Sequence, residues 1–181
     1  MKVPDGGGRA TARTLVIGYG NSLRGDDGAG PLVASQIGAG AIACQQLTPE
    51  LAEPMSRAGR VIFVDAHADL PAGQIRVERI RPRLSQAIHR FDPETLLAWS
   101  QQLYGRAPEA LLVGIGAGSF DLGETLSPQA RRAARKALRA VRKLSESAWS
   151  SGTRDHIALG NALRVNAGAN LGDTGDCARQ V

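Results

Sequence analysis

The sequence predicts an α/β fold: a single domain with a five-stranded, mostly parallel twisted sheet, helices on both faces and one antiparallel edge strand. Three observations support this prediction. Short apolar runs typical of buried strands alternate along the chain with segments of helical periodicity. Helix-starting signals, each a polar residue followed by proline, recur between these runs. The length of 181 residues, 43% of them hydrophobic, suits one core.

The first half of the chain contains three predicted strands and two predicted helices. Thr48 is expected to cap the second helix, because its hydroxyl can accept a hydrogen bond from the first turn and Pro49 suits the first helical position. The third strand is apolar throughout, as is usual for a parallel strand buried on both faces. The elements are a strand from Thr14, a helix from Pro31 to Ile37, a strand from Ala41 to Gln46, a helix opened by Thr48, and a strand from Arg60 to Val64 that ends at Asp65.

The second half contains two more predicted strands and two more helices. The link from Leu70 to Gly73 is short, which favours an antiparallel neighbour at the edge of the sheet for the fourth strand. The other strands are separated by helices, and such crossovers join parallel strands. The elements are a strand from Gln74 to Ile80, a helix from Asp92 to Leu103, a strand from Ala110 to Ile115, and a helix from Ser127 to Leu144.

Composition predicts three segments: a flexible leader over 1–13, the α/β domain over 14–144 and a weakly ordered tail over 145–181, where glycines recur and apolar periodicity fades. No apolar run approaches the roughly 18 residues of a membrane helix, and the N-terminus lacks the apolar core of a signal peptide. We therefore expect a cytoplasmic protein with no membrane partner. The two cysteines, Cys44 and Cys177, predict neither a disulfide framework nor a zinc cluster.

The net charge of +5 is concentrated on the final predicted helix, and the remainder of the chain is net negative. The apolar residues of that helix follow helical spacing, which leaves the cations on the outer face. This pattern predicts a solvated face, with an acidic partner surface as the alternative, and it argues against a nucleic-acid partner. The cations are Arg131, Arg132, Arg135, Lys136, Arg139, Arg142 and Lys143.

A glycine-rich loop follows the first strand and reads Gly-Tyr-Gly-Asn-Ser-Leu-Arg-Gly-Asp-Asp-Gly-Ala-Gly over residues 18–30. Gly18 and Gly20 are expected to let the backbone turn sharply as it leaves the strand. Gly25, Gly28 and Gly30 surround Asp26 and Asp27, where side chains would crowd a ligand, so the loop is predicted to hold a cation. A dinucleotide-binding loop is the competing interpretation. The glycine spacing differs from that motif, and the two carboxylates would repel a pyrophosphate group.

The candidate chemistry lies at the predicted strand ends. Asp26 and Asp27 follow the first strand, Asp65 ends the third, and His89 precedes a helix in a loop able to fold over the same edge. The carboxyl ends of parallel strands gather at one edge of a sheet, where α/β proteins bind ligands. Carboxylates with an imidazole suit a borderline divalent transition metal. A structural role in helix capping is the alternative for each acid.

Five segments, taken in order, resemble the hydrogenase maturation endopeptidases, which process the large subunit of nickel-iron hydrogenases. The resemblance covers about Thr14 to Leu144, and the glycine-rich loop is its most specific part. The segments are the loop of residues 18–30, Val64-Asp65-Ala66, His89 before a helix, Leu103-Tyr104-Gly105, and Gly123-Glu-Thr-Leu-Ser-Pro128.

The resemblance implies a five-stranded α/β endopeptidase that removes the C-terminal extension of a hydrogenase large-subunit precursor after nickel insertion. It implies that Asp27, Asp65 and His89 contact nickel supplied by the precursor, that Asp27 and Asp65 are catalytic, and that the protein is a monomer. Two features depart from the family pattern. Residues 45–48 read Gln-Gln-Leu-Thr, where many relatives have an Asp-Gly-Gly turn, and His67 is a rival ligand two residues past Asp65.

Two mechanistic questions stay open at this point. The metal can polarise the scissile carbonyl or activate water, or it can only position the substrate while a carboxylate acts as base. A serine or cysteine nucleophile is disfavoured, because there is no Gly-x-Ser-x-Gly motif and Cys44 falls in a predicted strand. The alternative functions are a nickel-dependent module that binds the precursor without cutting it and a nucleotide-binding domain.

Overall fold

The computed structural model describes residues 13–84 and 91–147. The predicted leader up to residue 12, His89 and the predicted tail from residue 148 lie outside the described residues.

The order of helices and strands is the predicted one. Each element is bounded within a few residues of its prediction, and single turns of 3-10 helix, Gly25–Gly28 and Pro49–Leu51, precede the first two α-helices. The strands are β1 (Thr14–Tyr19), β2 (Ala41–Cys44), β3 (Arg60–His67), β4 (Ile75–Ile80) and β5 (Glu109–Gly116), and the helices are α1 (Ala29–Ile37), α2 (Ala52–Arg57), α3 (Pro93–Tyr104) and α4 (Pro128–Glu146).

The five strands form one sheet in the order β2-β1-β3-β5-β4. All neighbouring pairs are parallel except β4 and β5, so the predicted antiparallel edge strand is confirmed. The partner of β4 is β5 and not β3, which precedes it in sequence. The composition of the two strands explains this order. Strand β5 is buried along nearly its whole length, which suits an interior position in the sheet, whereas β4 carries the charged residues Arg76, Glu78 and Arg79, which suit an edge position.

Helices cover both faces of the sheet and bury two apolar clusters. One face packs Val16, Ile62 and Val113 against α1 and α4. The other face packs Phe63 and neighbouring strand residues against Met55 of α2 and Leu96 of α3. Because side chains alternate along a strand, the odd-numbered residues of β3, including Asp65 and His67, project toward the side of α2 and α3.

Several boundaries differ from the sequence prediction. Strand β3 does not end at Asp65 but continues to His67, because Asp65, Ala66 and His67 still pair with β5. Helix α4 reaches Glu146, two residues into the predicted tail, and the buried Arg60 donates a 2.6 Å hydrogen bond to the carbonyl of Leu144 near that end.

The second helix also begins differently from its prediction. Thr48 stands at the cap position of the 3-10 turn, yet its side chain makes no capping hydrogen bond. Its hydroxyl instead interacts with the carboxylate of Glu50, which lowers the pKa of that exposed group. The predicted Asp92 and Ser127 caps are confirmed, since their side chains accept hydrogen bonds from the N–H groups of Thr95 and Ala130.

Helix α4 presents its seven cations to solvent, while its alanines, Val141 and Leu144 are buried against the sheet. The predicted solvated face is therefore confirmed. Over residues 13–84 and 91–147, none of the helices has the length and apolar character needed to span a membrane.

Candidate active site

A cleft of about 460 Å³ opens at the carboxyl ends of β1, β2 and β3. Asp27 and Asp65 both line this cleft. The structure therefore brings together the two residues of the predicted metal site that lie in the described part of the chain. The remaining wall is polar, with an apolar contribution from Leu47, Pro49 and Phe91. The other lining residues are Tyr19, Gly20, Asn21, Arg24, Gln45, Gln46 and Thr48.

The loop glycines allow close backbone contacts, and the ligand space predicted at Gly25, Gly28 and Gly30 is filled by neighbouring backbone atoms. Gly18 and Gly30 face each other where α1 crosses β1, and a Cβ on Gly18 would collide with the carbonyl oxygen of Gly30. Gly20 has φ +139°, which side chains rarely adopt, as the chain leaves β1. The glycine spacing thus holds the first turn of α1 tightly against the sheet and fixes the position of Asp27.

Asp26 is fully buried and its carboxylate is occupied by hydrogen bonds. It accepts from the N–H groups of Gly118 (3.0 Å), Ser119 (3.1 Å) and Ser127 (2.6 Å), and from the Ser127 hydroxyl (2.9 Å). Burial alone would raise the pKa of Asp26, but these four donors outweigh it and hold the pKa below its ordinary value. Asp26 therefore joins two distant segments and has no role as a cation ligand.

Asp27 is half-buried and faces the cleft. One of its oxygens, Oδ2, accepts a 2.7 Å hydrogen bond from the Asn21 N–H. The Asn21 side chain in turn accepts from the N–H of Leu23 (2.9 Å), which closes a local turn. Asp27 is thus oriented by its own loop, and this hydrogen bond occupies only part of its acceptor capacity.

Asp65 lies beside the end of β1 and is held by two donors. Its Oδ1 accepts from the N–H of Ala66 (2.8 Å), and its carboxylate also accepts from the Tyr19 hydroxyl. Since Gly18 pairs with Val64, the parallel register brings Tyr19 next to Asp65. Burial raises the pKa of Asp65, the negative charge of Asp27 acts in the same direction, and the hydrogen bonds and His67 only partly oppose this.

The rival histidine, His67, lies next to Asp65 on the same face of β3. Its Nε2 is 3.8 Å from Asp65 Oδ2, and its Nδ1 is 3.2 Å from Asp69 Oδ1. Arg76 of β4 approaches the other Asp69 oxygen at 3.4 Å. A polar chain therefore extends from the cleft to the sheet edge.

A complete metal centre is absent from the described part of the chain: no three histidine, cysteine, aspartate or glutamate side chains gather closely enough to hold an ion. The predicted third contact, His89, is outside that part. Its assignment to the site stays a prediction.

Cys44 lies in β2, as predicted, but ends the strand two residues before the predicted boundary, and it is half-buried. Burial raises the pKa of its thiol, which reduces the thiolate fraction at neutral pH. This environment gives no support to a cysteine nucleophile.

Sequence reasoning missed two contacts, that of Tyr19 with Asp65 and that of Ser127 with Asp26. Tyr19 was detectable in principle, because it ends β1 at the position where Asp65 lies near the end of β3. Ser127 was identified only as a helix cap, and nothing in the sequence pairs it with Asp26, which is 101 residues away.

Solved structures similar to this chain include NiFe hydrogenase maturation proteases. HybD from Thermococcus kodakarensis is 24% identical with a TM-score of 0.57, and the match covers 74% of this chain and 99% of HybD. HycI from Thermococcus kodakarensis KOD1 is 20% identical with a TM-score of 0.60, covering 77% and 96%. The hydrogenase maturating endopeptidase HybD from E. coli is 19% identical with a TM-score of 0.57, covering 73% and 91%.

No protein-family model and no curated protein sequence matches the chain. At these identities the structural likeness establishes a shared fold, and it extends over nearly the full length of each of the three proteases. The fold implied by the sequence resemblance is therefore confirmed: this chain has the α/β fold of the hydrogenase maturation proteases.

Proposed function

We propose that the protein is an endopeptidase that removes the C-terminal extension of a nickel-iron hydrogenase large-subunit precursor after nickel insertion. The fold shared with maturation proteases supports this function. The observation that carries the proposal is the pairing of Asp27 and Asp65, which come from separate strand ends and line one cleft. A carboxylate pair at the carboxyl edge of a parallel sheet is a usual arrangement for a ligand site in this class of fold.

Nickel enters this proposal as part of the substrate. Asp27, Asp65 and His89 are the proposed contacts, and Phe91, two residues after His89 in sequence, lines the same cleft. Carboxylate and imidazole groups both bind nickel, and the two described carboxylates alone form an incomplete site. A site completed by groups of the precursor would bind the loaded precursor better than the unloaded one. Cleavage would then follow cofactor loading.

The catalytic residues of the proposal are Asp27 and Asp65. The cleft holds their carboxylates close enough for Asp27 to influence the ionisation of Asp65. Tyr19 and the Ala66 N–H fix the Asp65 carboxylate, and Asn21 fixes that of Asp27. Carboxylates positioned in this way can orient a water molecule and accept its proton as it attacks the peptide carbonyl. We therefore place the protein among aspartate-dependent peptidases whose substrate carries the metal.

The test is incubation of the purified protein with the precursor, loaded with nickel or free of it, followed by mass spectrometry of both chains. We expect loss of a C-terminal peptide from the loaded precursor only. Cleavage independent of nickel would contradict the loading dependence. A stable uncut complex with the loaded precursor would instead indicate the alternative function, a nickel-dependent binding module that does not cut.

The proposal includes a cytoplasmic location, as the sequence predicts, and a monomer, as the family resemblance implies. Size-exclusion chromatography with light scattering, on the free protein and on its mixture with the precursor, measures the stoichiometry. We expect one copy of this chain in each complex.

A further inference from the structure

Helix α4 carries seven cations from Arg131 to Lys143. None of them forms an ion pair with an acid in the part of the chain that the structure describes. Two have contacts within the fold, since Lys136 Nζ donates to the carbonyl of Gly73 (2.9 Å) and Arg142 Nη2 donates to that of Gln36 (3.2 Å). The side chains of the other five have no hydrogen bond to any described residue, and these are Arg131, Arg132, Arg135, Arg139 and Lys143.

Four of these five cations repeat at intervals of four residues, so they are neighbours along one face of the helix. Like charges at this spacing repel each other and destabilise a helix. The first turn of α4 contains no acid, and Arg131 lies close to an N-terminus whose dipole disfavours cations. Residues 131, 135, 139 and 143 thus form a basic stripe that none of the described acids neutralises, and contact with an acidic surface would relieve its repulsion.

A groove of about 480 Å³ lies between α1 and α4 beside this stripe. Leu32 of α1 and Leu126, just before α4, contribute apolar surface, and Arg131 and Arg135 of the stripe lie along the groove. Helix α1 has no charged residue. Glu124 is the one acid among the described residues that line the groove, and it forms no ion pair with either arginine. Apolar surface next to unpaired cations fits an acidic segment that also carries apolar side chains.

The groove continues into the candidate active site. Arg24 lines the cleft and pairs through its backbone with Gly123, which precedes Glu124 of the groove lining. Leu23 and Leu122 precede the two bridged residues, and they are 51% and 91% exposed. Exposed apolar side chains on the boundary between two sites are suited to contact a partner that covers both. A partner docked in the groove can therefore extend into the cleft.

We propose that the groove, with Arg131 and Arg135, docks an acidic and partly apolar segment of the hydrogenase large-subunit precursor, while the part of the precursor near the scissile bond occupies the cleft. The choice of partner rests on the proposed function. The groove contact is independent of nickel and the cleft contact depends on it. The precursor is thus held at two points, and only the second responds to the metal.

Two observations favour a protein as the occupant. The groove has apolar surface that the phosphates of a nucleic acid do not match. The exposed residues of α4 include no large apolar side chain that could insert into a membrane. A protein segment with both acidic and apolar side chains complements the whole groove.

Binding of the nickel-free precursor tests the groove without turnover, because cleavage is expected only of the loaded form. Isothermal titration calorimetry with the full-length protein at about 0.1 M salt gives the Kd. We expect Arg131→Glu combined with Arg135→Glu to weaken binding at least about 10-fold, since the reversal replaces attraction to acids by repulsion. Leu32→Gln leaves the charge unchanged and should weaken binding about 5-fold by removing an apolar contact.

The matched control combines Arg139→Glu with Lys143→Glu. It makes the same change of charge at the same spacing on the same stripe, but neither residue lines the groove. We expect its Kd to change by less than about 3-fold, because exposed charges that act across solvent are largely screened. Thermal melting verifies that every variant is folded.

Initial rates with the nickel-loaded precursor separate docking from chemistry. The double variant of Arg131 and Arg135 should raise KM about 10-fold and leave kcat within about 2-fold, because the groove does not contact the scissile bond. Raising the salt to about 0.5 M should reduce the difference in KM between this variant and the wild type. A lower kcat at unchanged KM would contradict docking.

Two further results would overturn the inference. One is equal binding of the precursor by the groove variant and its control. The other is tighter binding of poly(U) RNA or phosphatidylserine vesicles than of the precursor, through Arg131 and Arg135. Either result leaves the proposed function intact if loaded precursor is still cut.

The opposite outcome separates the two proposals as well. Precursor binding that depends on Arg131 and Arg135, without cleavage of the loaded form, would reject the proposed function and support the docking site. Absence of any binding of the precursor by the wild type would reject both.

Discussion

Asp26 and Asp27 are neighbours in one glycine-rich loop, yet the structure gives their carboxylates opposite surroundings. Asp26 is fully buried and accepts four hydrogen bonds from residues 118–127. Asp27 faces the cleft, accepts one hydrogen bond from its own loop and lies near Asp65. The first carboxylate is part of the scaffold, and the second is available to a ligand.

This difference shows what separates a structural acid from a functional one. A buried carboxylate surrounded by N–H donors is stabilised in its charged form and has little capacity left for a metal or substrate. The two cleft carboxylates have fewer donors, and burial together with the charge of Asp27 raises the pKa of Asp65. A carboxyl group with a raised pKa next to a cleft is a candidate for function.

Loss of either cleft carboxylate should have the largest effect. We expect Asp27→Ala and Asp65→Ala each to reduce processing of loaded precursor by at least about 100-fold, because a positioned acid or base contributes about 10²–10⁴ to a rate. The measurement is the initial rate of peptide release. Glu53→Gln, which alters an exposed acid on α2, is the matched control and should cleave normally. Near-normal cleavage by either alanine variant would remove that residue from the proposed site.

Asp26→Asn should lower the free energy of unfolding by about 3–5 kcal/mol. The amide group keeps one acceptor and turns an NH₂ toward buried N–H donors, and each buried group left without a partner costs about 1–3 kcal/mol. Urea denaturation followed by circular dichroism measures the change. The control is Asp121→Asn, an exposed aspartate whose replacement should cost less than about 0.5 kcal/mol. Equal stability of the two variants would contradict the scaffold role of Asp26.

The two environments also predict opposite dependence of stability on pH. The pKa of Asp26 is lowered, so its stabilising contribution is complete above the ordinary value of 3.8 and is lost as the pH falls through the lower folded-state pKa. The pKa of Asp65 is raised, so its ionisation destabilises the fold at neutral pH. That cost disappears as the pH falls from the folded-state pKa to 3.8.

Unfolding free energies of the wild type, Asp26→Asn and Asp65→Asn between neutral and acid pH measure this contrast. Above pH 3.8, only the difference between wild type and Asp65→Asn should change with pH. Below that value, only the Asp26→Asn deficit should shrink. Parallel profiles for the two variants would mean that the acids occupy similar environments.

The smallest expected effect belongs to Ser127→Ala. The Ser127 hydroxyl donates to Asp26 and accepts from the N–H of Ala130 at the start of α4, so its removal should cost about 1–2 kcal/mol. Thermal denaturation gives the change. Ser35→Ala is the control, since that exposed hydroxyl donates to the Leu32 carbonyl of its own helix. A cost similar to that of Asp26→Asn would show that most of the Asp26 effect comes from this one partner.

Much of the fold was predictable because its signals are local. The Asp92 and Ser127 caps, the apolar strands and the alternation of elements each depend on neighbouring residues. Thr48 fitted the same capping pattern, but its hydroxyl interacts with Glu50 instead. Local signals also could not identify the strand that pairs with β4. That strand is β5, which lies between β3 and β4 in the sheet but comes after both in the chain.

The sequence predicted which edge of the sheet carries the candidate site, but not which acids of the glycine-rich loop face it. Strand ends placed Asp27 and Asp65 in the same region, and the structure has both in one cleft. Only the family resemblance singled out Asp27; the local residue pattern could not separate Asp26 from Asp27, because the physical distinction depends on hydrogen bonds to residues more than 90 positions away. The glycines of the loop were misread for the same reason, since their close contacts include distant backbone atoms.

The tie between Asp26 and residues 118–127 also has a consequence for biosynthesis. A ribosome completes the loop that carries Asp27 long before it makes the Gly118, Ser119 and Ser127 donors that hold its neighbour in place. A nascent chain released before that point would have the first strand and both acids but would lack the donors that hold Asp26. The scaffold beneath the proposed site would therefore be completed only near the end of translation of the domain.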